Sequence, residues 1–156
     1  MKKLLFILFG LFPSLCFGAT NFTTTVNTVS GGDYSSLSLW EGAIDDNLTT
    51  AVVLSHSGIT GTIADGAAVT GATSLATGTC RHATSTQIMI APITGTFQSG
   101  EQIYSLINVN YVNSTTAPDS VIAVVNCAGS NADTTSFTVA GWTTSATNYI
   151  DVGGNA

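Results

Sequence analysis

Few residues in this 156-residue chain carry side chains able to shuttle a proton, attack a carbonyl or hold a metal. Cys80-Arg81-His82, taken with His56, comes nearest to a metal-binding set. Zinc needs three or four ligands at recognisable spacing, and no fourth ligand accompanies these. Two surface histidines and a paired cysteine are the plainer reading, and no metal is expected. Ser55-His56-Ser57 sets hydroxyls beside an imidazole. Neighbours in sequence seldom face each other, however, and no nucleophile elbow surrounds them. A loop histidine is the plainer reading there too.

The carboxylates are no more specific. Asp45-Asp46 and Asp65 are the residues to test as an acid–base pair or a calcium site. Glycoside hydrolysis needs two carboxylates flanking one sugar bond, a separation that sequence does not report. Calcium needs six or more oxygens, and no D-x-D-x-D-G loop occurs. Asp45-Asp46-Asn47 reads as a helix end and Asp65-Gly66 as a turn. Catalytic residues and cofactors are therefore not expected. Three tyrosines remain as candidate ligand-stacking groups, Tyr104, Tyr111 and Tyr149, because a ring with a polar tip suits a half-wetted site. Trp40 and Trp142 fall at spacings that suit a core.

The elements that must position these groups begin after a leader. Lys2-Lys3 precede an apolar run at residues 4–12, too short to span a bilayer, and Cys16-Phe17-Gly18 suits a cut after Gly18. Residues 1–18 are thus expected to be a signal peptide, and the protein to be secreted or held at the cell surface, with the periplasm as a further location. Pro13-Ser14-Leu15 ahead of Cys16 lacks the small-residue pattern of lipidation. Cleavage would leave Arg81 as the single Lys or Arg against nine carboxylates. Such an acidic chain has no footprint for nucleic acid, and none for a membrane once the signal is gone. In an exported chain the remaining pair, Cys80 and Cys127, reads as a disulfide. Its closure would stabilise by about 4 kcal/mol in the chain-entropy model.

Residues 19–51 read as a strand, a Gly31-Gly32 turn and a short cap helix. Ser38 and Glu41 fit a capping box, and Leu37, Trp40 and Ile44 share one helical face. The run GGDYSSLSLWEGA resembles the amino-terminal cap of secreted right-handed parallel β-helix proteins of the pectin-lyase-like kind. FTVAGWTTSATNYIDV, residues 137–152, looks like the first coil after such a cap. The resemblance implies an all-β fold, the start of a right-handed parallel β-helix, with residues 121–156 as its first coil. It is nearly silent on chemistry, since that fold hosts lyases, hydrolases, adhesins and inert fibres alike. Polysaccharide lyases of that architecture use a Lys or Arg base, which the coil-like portion here lacks.

Residues 52–120 read as a small inserted β module. Within it, ITGTIADGAAV (residues 59–69) aligns with ITGTFQSGEQI (residues 93–103), each expected to be a strand, a glycine turn and a return strand. VIAVV, residues 121–125, is the most continuous apolar run and is expected to be buried on both faces. The last strand, with Tyr149, Ile150 and Val152, has no Lys or Pro to block strand addition and is expected to be a self-association edge. These features point to a non-catalytic structural or adhesive protein whose partner is itself or further β-helix coils. The alternative is the leading fragment of a carbohydrate-binding or polysaccharide-degrading protein. Ice binding through threonine arrays finds no regular repeat among Thr23-Thr24-Thr25, Thr134-Thr135 and Thr143-Thr144.

Overall fold

The computed structural model describes residues 18–154, so the expected signal peptide lies outside the described residues except for Gly18. Strand β1 (Thr20–Asn27) buries Phe22, Thr24 and Val26 on one face, as strict alternation requires. Helix α1 (Leu37–Ile44) follows, with Trp40 and Ile44 buried. The chain then runs through β2 (Val52–Thr60), β3 (Ala68–Gly71), β4 (Thr77–Ala83), β5 (Gln87–Thr94), β6 (Gln102–Leu106) and β7 (Asn110–Ser114). It ends with β8 (Asp119–Ala128) and β9 (Ile150–Gly154). Apart from α1, the regular structure among the described residues is all β.

Strands β2 to β7 close an antiparallel barrel of six strands in the order β2-β5-β4-β3-β6-β7, with β7 pairing back onto β2. This closure overturns the right-handed parallel β-helix and the pectin-lyase-like resemblance. A β-helix winds several parallel sheets around a common axis. Among the described residues parallel strand pairing is confined to one sheet, in which β8 lies between β1 and β9. Its strands are joined by α1 plus the barrel, and by residues 129–149, which form no strand beyond an isolated bridge at Thr143. Local patterning led to the resemblance because residues 26–47 do hold a strand, a turn and a Trp-bearing helix. The path of the chain beyond residue 47 is decided by strand pairing over long range.

The two aligned motifs are equivalent in space, but neither is a hairpin. Gly61 and Gly95 have φ of 67° and 82°, and Gly66 and Gly100 both have φ of 79°. Ile63 and Phe97, like Val69 and Ile103, are buried inside the barrel. Yet β2 has β5, β7 and β8 as neighbours, while β3 has β4 and β6. Exchanging β2, β3 and β4 for β5, β6 and β7 leaves every barrel neighbour relation unchanged, so the ring has two-fold pseudosymmetry. A lone hairpin would leave two open edges and a bare face. Interleaving the copies pairs both edges of each strand and buries one face.

Two cores result. One holds Phe22, Trp40, Ile44, Leu48, Val53, Met89 and Val125, and the other, inside the barrel, holds Leu54, Ile88, Ile90, Phe97 and Ile103. Successive residues of β2 and β5 face different cores, which is why Ile88, Met89, Ile90 and Ala91 are all fully buried. The strand expected to be buried on both faces, residues 121–125, instead leaves Ile122 half-buried.

Two local expectations also change. Ser36 rather than Ser38 caps α1, its hydroxyl accepting from the Leu39 amide. Glu41 reaches away from the cap and accepts from the Ala140 amide at 2.9 Å. Asp133 takes the otherwise unpaired Leu37 amide at 2.8 Å, a long-range contact that no capping pattern contains. The expected Cys80–Cys127 disulfide does not form: both cysteines are free thiols. Cys80 points into the barrel interior, whereas Cys127 lines a small cavity beside residues 129–133.

Candidate functional site

Tyr34 and Asp33 are set by the turn that follows β1. Gly32 packs so closely there that a Cβ would lie 2.7 Å from the Asn27 nitrogen. Asp33 accepts from the Thr25 amide at 2.8 Å, and Tyr34 exchanges backbone hydrogen bonds with Thr25 and Asn27. Both side chains then meet the barrel. The Tyr34 hydroxyl donates to Asp65 at 3.0 Å, and His82 Nδ1 lies 2.9 Å from the other Asp65 oxygen. His82 Nε2 is 3.6 Å from Asp33, an ionic contact too long for a hydrogen bond. The Tyr34 and His82 ring centres are 5.0 Å apart, and Phe22 meets His82 edge-on at 6.3 Å.

Irregular pairing of β4 on either side of Cys80 lets consecutive residues reach the amino-terminal segment. Arg81 pairs with Asp46 just after α1 while His82 takes Asp65 and Asp33. Burial disfavours a charged His82, but the hydrogen bond and charge of Asp65, helped by Asp33, outweigh it and raise its pKa. Burial, reinforced by Asp65, also raises the Tyr34 pKa, so its hydroxyl stays a donor. The cluster therefore forms a polar latch between the amino-terminal strand and turn and the barrel. His56, by contrast, is buried alone. Its Nδ1 accepts from the Gly58 amide at 3.1 Å, and burial lowers its pKa, which keeps it neutral.

A second polar lock went unseen in the sequence. Glu101 is 4% exposed, and its carboxylate accepts from the amides of Thr73, Ser74 and Gln98 and from the Ser74 hydroxyl. Burial opposes its charge, but these donors outweigh burial and lower its pKa. Glu101 aligns with Ala67 of the other motif copy, so this lock exists in one half of the barrel only. That asymmetry was the one signal of it in the sequence.

The stacking candidates divide. Tyr104 and Tyr111 face each other as a registered pair across β6 and β7, both half-buried on the outer surface. Two residues separate Tyr104 from the turn at 107–109 and only one separates Tyr111 from it, so an irregularity between Tyr104 and Leu106, which spacing does not reveal, brings the two into register. Tyr149 lies apart and is 43% exposed, immediately before β9.

Strand β9 has β8 along one edge and no partner along the other among the described residues. Parallel register stacks Phe22, Ala123 and Ile150 in one column and Thr24, Val125 and Val152 in the next. Thr24 and Val125 are 1% and 0% exposed, but Val152 is 48% exposed. The buried column thus runs out into solvent at β9.

A cleft of about 620 Å³ opens between the barrel and the segments that enter and leave it. Ala51, Val52, Ile93 and Pro118 supply its apolar wall. Asp119 at its rim is held by Thr20 and the Ser120 amide. Neither His82 nor Glu101 lines it. No family model, curated protein or solved structure matches this chain.

Proposed function

We propose that this is an exported, non-catalytic structural or adhesive β protein that self-associates through β9. The observation that carries the reading is the Thr24–Val125–Val152 column, buried at its first two positions and open at its last. One more parallel strand along β9 would pair its free backbone groups and cover Val152. The strand is Ile150-Asp151-Val152-Gly153-Gly154, without the Lys or Pro that commonly block such edges. Two adjoining glycines leave its far end without side chains to hinder approach.

Sedimentation velocity of the purified chain tests this, alongside a variant carrying Ile150→Lys and Val152→Lys. Association of the unmodified chain should rise with concentration and be lost in the variant, whose lysines would have to be desolvated at the new ladder. A concentration-independent monomer for the unmodified chain would overturn the proposal.

A further inference from the structure

One outward-facing row crosses the whole barrel. Thr60 of β2 pairs with Tyr111 of β7, Tyr111 with Tyr104 of β6, and Tyr104 with Thr70 of β3. Thr70 pairs in turn with Thr77 of β4, and Thr77 with Thr94 of β5. Each strand contributes one hydroxyl-bearing side chain. Because the barrel is closed, the row curves around it, and its stretch from Thr60 through Tyr111 and Tyr104 to Thr70 covers about 14 Å at about 4.8 Å per strand step. Its neighbours Ile103, Val112 and Val69 point inward and are fully buried, which holds the two tyrosines on the outer face. The next outward pair along β6 and β7 is Gln102 opposite Asn113, so two amides border the two rings.

The row has no ionisable carboxylate or cation, in a protein with nine carboxylates. Arg81, the single Lys or Arg among the described residues, is paired with Asp46 on another part of the surface. An acidic ligand would meet net repulsion and find no cation to pair with. A neutral sugar chain matches the surface instead. Its C–H faces suit the tyrosine rings, and its hydroxyls suit the flanking Thr, Gln and Asn groups.

We propose that the Tyr104–Tyr111 row is a binding strip for an uncharged polysaccharide strand. The two rings act as the stacking platform, and Thr60, Thr70, Gln102 and Asn113 supply the hydroxyl and amide contacts. The strip is separate from β9, and its occupancy stands whether or not the chain self-associates.

Titration calorimetry with three hexasaccharide probes tests the proposal: a β-1,4-glucan, an α-1,4-glucan and a polygalacturonate. At least one neutral probe should bind, with the acidic probe at least tenfold weaker. Tyr104→Ala and Tyr111→Ala should each weaken the neutral probe tenfold or more, while Tyr104→Phe retains most of the affinity. Because alanine at a half-buried position can also loosen the barrel, ring resonances of both tyrosines should be followed in the unmodified chain. They should shift on addition of the binding probe. No binding of either neutral hexasaccharide, equal binding of the acidic one, or shifts that spare both rings would overturn the assignment. So would a change of sedimentation in the alanine variants without any sugar effect, which would mean that a second copy occupies the strip.

Discussion

His82 Nδ1 sits 2.9 Å from Asp65, and the opposite ring nitrogen is 3.6 Å from Asp33, so one imidazole bridges a barrel turn and the turn after β1. Asp65 and Asp33 raise its pKa in the folded protein. Tyr34 packs on the ring, Phe22 meets its edge, and Arg81 beside it is engaged by Asp46. A raised folded pKa contributes stability that is fully present below the unfolded value, about 6.5. That contribution is lost as pH rises through the folded value. The melting temperature should therefore fall as pH is raised above about 6.5, and that fall should be reduced in His82→Gln. Melting curves whose slope against pH is the same in both proteins would refute the latch.

Glu101 has the opposite sign. Its lowered pKa stabilises the fold above the unfolded carboxylate value, about 4.3, and the gain disappears as pH falls through the folded value. Glu101→Gln sets an amide donor among the Thr73, Ser74 and Gln98 donors that now share one carboxylate. The substitution should cost about 1–3 kcal/mol at neutral pH, read from chemical denaturation, and less in acid.

Trp40 is fully buried and stacks on Trp142 with ring centres 5.6 Å apart. Trp40→Ala removes this contact and leaves a cavity beneath α1. It should destabilise by about 3–5 kcal/mol. An unchanged denaturation midpoint would show that the helix adds nothing to the core.

The free thiols make a direct chemical prediction. In denaturant without reductant, Cys80 and Cys127 should both react with a thiol reagent. In the native protein Cys127, which is half-buried, should react first. Cys80 is wholly buried and burial pushes its thiol up to about 12, so it should wait for unfolding. Two thiols unreactive even in denaturant would restore the bridge.

The residues differ in how far they could be read in advance. Leu37, Trp40 and Ile44 announce a helix because helical spacing places them on one face, and α1 lies there. The equivalence of Ile63 with Phe97 and of Gly66 with Gly100 is equally plain, because both copies repeat the same residue types at the same spacing. None of these inferences depends on anything beyond the residue's own segment.

What the sequence determined by itself is therefore local: β-rich segments, the position of one helix, an acidic and nearly cation-free composition, and two copies of one motif. Only the tertiary structure decided that those copies interleave into a closed barrel instead of folding as hairpins ahead of a β-helix coil. Backbone hydrogen bonds are alike at every residue, so alternation tells a strand which face to bury without naming its neighbour. The same reason separates Cys80 from Cys127 and joins Asp33 to His82. Each outcome depends on contacts between distant segments, and those contacts exist only once the barrel has closed against β1 and α1.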